Sequence, residues 1–255
     1  MDQLKDFMDF YNNPYSKELT KNFGMIANYS AASLLGFSQL MDKITKDDEQ
    51  SKETVDHCMN LIESICCQLQ RTGIFCSAIM KDDPKLAPVK AESYLNSFTT
   101  GCQRIIGKKC KISIASVQDF TIVSSSDFLD LLLLGFIRKN CANAGFLQPN
   151  EEELPSFEIS ACIKNDIPQI TLNTNASIPQ RNYDTFGSQE FFENFFNEFA
   201  VLISEKLNIE TEISSSHMII RFPRNSSNDS LIFESPKLQP ASEGRSLFRI
   251  MLNDI

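Results

Sequence analysis

Phe157-Glu158-Ile159-Ser160-Ala161-Cys162-Ile163 is the stretch whose reading decides the fold of this chain. Phe157, Ile159, Ala161 and Ile163 alternate with Glu158, Ser160 and Cys162. Successive strand residues point to opposite faces, so this alternation predicts a half-buried β-strand. Gln169-Ile170-Thr171-Leu172 reads as its hairpin partner. Working outward, Lys111-Ile112-Ser113-Ile114-Ala115 alternates in the same way, and Phe120-Thr121-Ile122-Val123 is a second short strand. Ser124-Ser125-Ser126-Asp127 supplies caps for an apolar helix running towards Ala144. Leu95 to Ile106 reads as a helix, and Gln189 to Leu207 as an amphipathic one. Glu210 to Ile213 and His217 to Phe222 form a closing hairpin. The order of helix, strand, strand repeated three times implies an α/β sandwich with one mixed sheet and helices on one face.

The N-terminal third has a different period. Asn13-Pro14 opens a helix, with Asn as cap and Pro in the first turn. Leu19, Phe23, Ile26, Ser30, Ser33, Phe37, Leu40 and Ile44 follow at alternating steps of four and three, which is a heptad seam. The polar break Thr45-Lys46-Asp47-Asp48-Glu49-Gln50 contains the capping pair Asp47 and Gln50. A second helix then carries Val55, Met59, Ile62, Cys66, Leu69 and Gly73 on one stripe and ends before Asp83-Pro84. Two long helices joined by a short loop pack antiparallel. Such a hairpin leaves apolar surface on its far faces, so two copies are expected to pair as a four-helix bundle in a homodimer. The fold class is therefore α+β. The expected domains are a helical hairpin over 1–83, the α/β unit over 84–224 and a tail over 225–255. Asn225-Ser226-Ser227-Asn228-Asp229-Ser230 reads as a linker, and Leu247 to Leu252 could dock as a short strand or helix.

Composition narrows the function. Apolar residues make up 42% and charged residues 22% of the 255, which suits a packed core rather than wholesale disorder. The net charge of −9 repels phosphate backbones and speaks against nucleic-acid binding. Lys108-Lys109-Cys110-Lys111 reads as a solvated turn before a strand. Met1-Asp2-Gln3-Leu4-Lys5-Asp6 lacks the basic start and apolar run of a secretory signal. The apolar run from Leu129 to Ile137 contains Asp130 and is too short to span a bilayer. A cytoplasmic protein without membrane insertion is expected. Its eight cysteines form no CxxC pair and it has two histidines, so no metal site is expected. The cysteines are read as small, reduced, buried side chains.

Met25-Ile26-Ala27-Asn28-Tyr29-Ser30-Ala31-Ala32-Ser33-Leu34-Leu35-Gly36-Phe37-Ser38-Gln39-Leu40 resembles the dimerisation helix of sensor histidine kinases. There a phospho-accepting His is followed by Glu, then a Pro, and later a Gly-Phe-Ser-like stretch. Gly36-Phe37-Ser38-Gln39-Leu40 matches, while Ser30 stands at the Pro position and Met25 at the His position. The following helix and α/β order match that family, with its GHKL-type ATPase-like domain, through about residue 224. The architecture is also similar to sporulation phosphotransferases.

The resemblance places the nucleotide-binding boxes, and each is altered. The helix bearing a metal-binding Asn resembles Leu129 to Ala144, with Gly135 and Lys139 at the two usual Asn positions and Asn140 recruited by a one-residue shift. The Asp-x-Gly-x-Gly turn resembles Leu172 to Pro179. Asn173 stands at the adenine-reading Asp, and Asn175 and Ser177 replace glycines. The second glycine box should precede the last helix, where Phe195-Phe196-Asn197-Glu198-Phe199-Ala200 has no glycine.

Autophosphorylation needs an imidazole to attack the γ-phosphorus, and the thioether of Met25 is a poor nucleophile there. Neither His57 nor His217 replaces it by position. Lys139 would put a fixed cation where a metal normally sits; the alternatives are a phosphate-holding ammonium or a salt-bridged surface lysine. The phenylalanines between Phe191 and Phe199 either pack against the sheet or fill a vacated pocket. The resemblance therefore implies a catalytically inactive, cofactor-free histidine-kinase-like protein. It would act in two-component or phosphorelay signalling by binding a response-regulator receiver or a partner kinase. Met25, Asn28, Tyr29 and Ala32 would form the contact; Lys139, Asn140, Asn173, Asn175 and Ser177 would mark the degenerate pocket. The alternative is a phosphotransferase or a residual nucleotide-binding enzyme.

Overall fold

The structure is a computed structural model that describes residues 20, 23, 27, 30–37, 49–80, 86–107, 110–141, 154–175, 188–223 and 247–252. Residues 30–37 form helix α1, and Thr20, Phe23 and Ala27 are also helical. Most of the first expected helix lies outside the described residues. The second is present as α2, Glu49–Met80.

β1 (Ala87–Lys90) leads directly into α3 (Ala91–Ile106), followed by β2 (Lys111–Val117), β3 (Thr121–Ser124) and α4 (Ser126–Cys141). β4 (Ser156–Lys164) and β5 (Ile167–Thr174) follow, then α5 (Ser188–Leu207), β6 (Glu210–Ile213), β7 (His217–Arg221) and α6 (Leu247–Leu252). The main sheet has the order β2-β4-β5-β7-β6. β2 pairs parallel with β4, and the other pairs are antiparallel, so the sheet is mixed. A parallel pair needs a crossover, and α4 supplies it.

The hairpin that decided the reading forms in full register, from Phe157 opposite Thr174 to Lys164 opposite Ile167. Its two-residue turn is Asn165-Asp166, with φ of 53° and 62°. A tight hairpin turn of this kind requires positive φ at both central residues, which Asn and Asp tolerate better than most.

Two features depart from the expectation. β3 does not join the main sheet. It pairs antiparallel with β1, a four-residue strand that the alternation rule is too short to detect and that contains Pro88. The closure is local, since the Ala91 N–H donates to the Phe120 carbonyl at 3.0 Å. Helix α3 also starts one turn earlier than Leu95.

Phe157, Ile159, Ala161, Ile170, Leu172, Met218 and Ile220 line the core side of the sheet. Glu158 and Asn173 are exposed on the other side. The core extends beyond the expected 84–224 unit at both ends. Phe75 and Ala78 of α2, on the N-terminal side of the expected boundary at residue 83, belong to it. Met251 and Leu252 of α6 are fully buried in it, so the expected tail ends in a docked helix.

Candidate functional site

Helices α4 and α5 meet where the altered boxes were expected. Helix α4 is buried on nearly all sides. At Gly135 it has no side chain, and the Phe196 ring occupies the space. A Cβ at 135 would lie 2.2 Å from Phe196 Cε2 and 2.5 Å from Cδ2. Phe196 is fully buried, as are Phe195, Phe199 and Phe75. The Phe75 ring meets Phe195, Phe196 and Phe199 edge-on, with centroids 5.8, 6.3 and 4.4 Å away. Edge-to-face pairs use the positive ring edge against the negative face and add to the burial energy.

One turn beyond Gly135, Lys139 is only 8% exposed. It is therefore not the surface lysine of the simplest reading. Its Nζ donates to Asn197 Oδ1 at 3.2 Å. Asn140 is also buried, and its Nδ2 donates to the Phe136 carbonyl of its own helix at 2.9 Å. Its Oδ1 is buried without a hydrogen-bond partner. Phe195 to Ala200 lie well inside α5, which starts at Ser188, rather than in a loop before it. Backbone N–H groups in a helix interior are spent on intrahelical bonds.

Of the sequence-predicted pocket residues that are described, Lys139 and Asn140 are buried on α4, whereas Asn173 and Asn175 are exposed. Asn173 is exposed on the side of the sheet away from the core, flanked in register by Glu158 and His217. Asn175 stands where the resemblance puts a glycine, a residue that commonly supplies positive φ. Among the described residues only Asn165, Asp166 and Asn208 have it. Asn175 instead closes the hairpin end: its Oδ1 accepts from the Ser156 N–H at 2.8 Å, and its own N–H donates to the Ser156 carbonyl at 3.3 Å. Ala32 is exposed on α1. Met25, Asn28, Tyr29 and Ser177 lie outside the described residues, as does the side chain of His57.

Three groups escaped the sequence reading. Asp130 sits in the apolar run of α4 and accepts a hydrogen bond from Tyr94 Oη at 2.8 Å. Burial pushes its carboxyl up to about 7. The Tyr94 bond pulls it down, and the Asp127 charge adds to the rise. An acid inside a leucine run was the available signal. The second group is at the β6–β7 turn, where His217 Nδ1 lies 2.9 Å from Ser214 Oγ and Nε2 lies 3.5 Å from Glu212 Oε1. This looks like a hydrolytic triad but is a turn clamp. Ser214 Oγ already accepts the N–H groups of Ser216 at 3.2 Å and His217 at 2.9 Å, and Glu212 is paired with Arg221 at 2.6 Å. The third is the buried thiol pair in which Cys141 Sγ donates to Cys110 Sγ at 3.9 Å. The described cysteines are free thiols, as expected. Cys58, Cys102, Cys110 and Cys141 are buried, Cys76 and Cys162 are half-buried, and Cys66 is exposed against expectation.

Among the described residues, no three His, Cys, Asp or Glu side chains group as metal ligands. Nor, among them, is any helix long and apolar enough to cross a membrane.

No protein-family model matches the sequence, and no curated protein matches it. The fold is similar to histidine kinase ThkA as it stands in complex with the response regulator protein TrrA. The TM-score is 0.54 at 12% identity, over 87% of this chain and 64% of that one. The fold is histidine-kinase-like. Weaker likenesses reach the Acinetobacter baumannii histidine kinase AdeS, at TM-score 0.47 and 10% identity over 77% of this chain and 95% of that one. The ATP-binding domain of PrrB from Mycobacterium tuberculosis gives 0.39 at 19% identity over 56% of this chain and 99% of that one. The Gly135–Phe196 contact and the Lys139–Asn197 bond both join α4 to α5.

Proposed function

We propose that this chain is a histidine-kinase-like protein without autokinase activity, acting in two-component signalling by binding a response-regulator receiver or a partner kinase. The observation that carries this reading is the Phe196 ring seated over Gly135. Phosphates need close approach to free backbone N–H groups, commonly at glycine. Here the residues standing where the resemblance puts the second glycine box are helical, and the Phe196 ring fills the space at Gly135, one of the two positions where it puts a metal-binding Asn. A nucleotide-bound magnesium needs oxygen ligands, whereas Lys139 supplies a buried cation. Two cations at contact distance repel strongly in a poorly screened interior. The residues present therefore do not fit a metal–nucleotide complex. Met25 adds to this, since a thioether stands where the resemblance puts the phospho-accepting imidazole.

What remains is a binding surface. In this reading the receiver or kinase docks beside Met25, Asn28, Tyr29 and Ala32, of which Ala32 is exposed. The hairpin pairs two copies. Leu35, 61% exposed on α1, and Met59, 52% exposed on α2, are apolar surface that such pairing would cover.

Two measurements test the proposal. The full chain is expected to bind at least one receiver or kinase from its own genome in titration calorimetry, and Ala32→Arg is expected to weaken that binding at least about ten-fold, as a charge does in an interface core. ATP with magnesium is expected to leave the melting temperature unchanged, because a ligand that does not bind the native state cannot stabilise it. A dose-dependent rise, or labelled phosphate retained on the protein after exposure to ATP, overturns the reading.

A further inference from the structure

Among the described residues helix α6 covers Leu247–Leu252, and it touches three other helices: α2, α3 and α4. Phe248, Met251 and Leu252 fall at i, i+3 and i+4, one stripe of a helix. Met251 and Leu252 are fully buried. The Phe248 ring lies 5.5 Å from Phe98 of α3 and rests on the bare backbone at Gly101, where a Cβ would come within 2.9 Å of Cε1. Helix α2 is held towards its C-terminal end, where Phe75 enters the α5 phenylalanine cluster and Leu69, Ile74 and Cys76 pack against the core. Farther back along α2, Met59 and Cys66 are exposed.

We propose that α6 is a clasp: the groove between α2, α3 and α4 is a binding surface for a short amphipathic helix, its occupant is the chain's own C-terminal helix, and that occupant fixes α2 to the α/β layer. A six-residue helix does not persist in water, because nucleation costs more than so few hydrogen bonds return. Folding and docking of α6 are therefore one event. Whatever displaces α6 also loosens the seat of α2. The clasp goes beyond the proposed signalling role and does not depend on it, since it concerns only how the chain holds its own long helix.

The test uses the full chain carrying Gly101→Leu, and a second chain ending at residue 246. Leucine is a better helix former than glycine, so α3 itself is not weakened, while the added Cβ meets the Phe248 ring first. Hydrogen exchange is followed in peptides covering residues 69–80 and residues 156–174. Both variants are expected to exchange roughly ten-fold faster over 69–80, with 156–174 unchanged, as local opening does. A synthetic peptide of residues 245–255 added to the shortened chain is expected to restore protection over 69–80. Unchanged exchange over 69–80 in both variants overturns the clasp, because the Phe75 cluster then holds α2 alone. Equal loss over 156–174 overturns it too, because α6 is then ordinary core.

Discussion

Gly135→Ala is expected to lower the stability of the folded chain markedly, and to do so far less once Phe196 has been cut back to alanine. The added methyl would stand 2.2 Å from Phe196 Cε2, inside any permissible contact. The ring has nowhere to go, because Phe196 is fully buried and Phe75 packs against it edge-on. Overpacking of this kind costs about 3 kcal/mol. Alanine's better helix propensity returns about 1 kcal/mol. A net loss of about 2 kcal/mol follows, read as a lower midpoint in urea with an unchanged slope. Phe196→Ala alone leaves a cavity and is expected to cost about 3–5 kcal/mol. In the double variant the methyl enters that cavity, so the two losses should fall short of their sum by at least about 1 kcal/mol, the coupling expected of residues in contact. Strict additivity would mean that the ring does not lie on Gly135, and the filled-pocket argument would go with it.

The same contact shows what the sequence could and could not disclose. Alternation at Phe157–Ile163 gave the central hairpin, because strand period and burial coincide there. The long stripe of α2 and the amphipathic run of α5 were equally readable, since helical period repeats over many turns. β1 was not, because four residues with a proline hold too few periods to count. Of the two readings left open for the α5 phenylalanines, core packing is the one the structure displays, and within that packing the Phe196 ring stands over Gly135. Which partner a buried ring meets is a tertiary fact that periodicity does not carry. For the same reason Asn173 was grouped with Lys139: position in a motif says nothing about which side of a strand a residue faces when the motif itself has changed. Helix α6 was legible only as an apolar run, since its groove is made by three distant segments.

Asp130→Asn is expected to stabilise the protein above about pH 4, by an amount that grows until about pH 7 and then stays level. Burial holds the Asp130 carboxyl at about 7, against 3.8 for an unperturbed side chain. The folded state therefore binds this proton more tightly than the unfolded state does. Where the unfolded state holds fewer protons than the folded one, stability falls as pH rises. For Asp130 the contribution is unimpaired below about pH 4, declines between about 4 and 7, and stays at its lowest above that. Three pK units at about 1.4 kcal/mol each set the full penalty near 4 kcal/mol. Asparagine cannot ionise, yet its Oδ1 can still accept the Tyr94 hydrogen bond. Urea unfolding at pH 4 should thus find the two chains within about 1 kcal/mol, while at pH 8 the variant should be the more stable by up to about 4 kcal/mol. Tyr94→Phe tests the opposing force. Removing a donor that favours the carboxylate should raise the Asp130 pKa further, so the decline still begins near pH 4 but extends to higher pH. If the wild-type and Asp130→Asn curves ran parallel from pH 4 to pH 8, Asp130 would have to be as well hydrated in the folded chain as in the unfolded one, which its part-buried seat against Tyr94 does not allow.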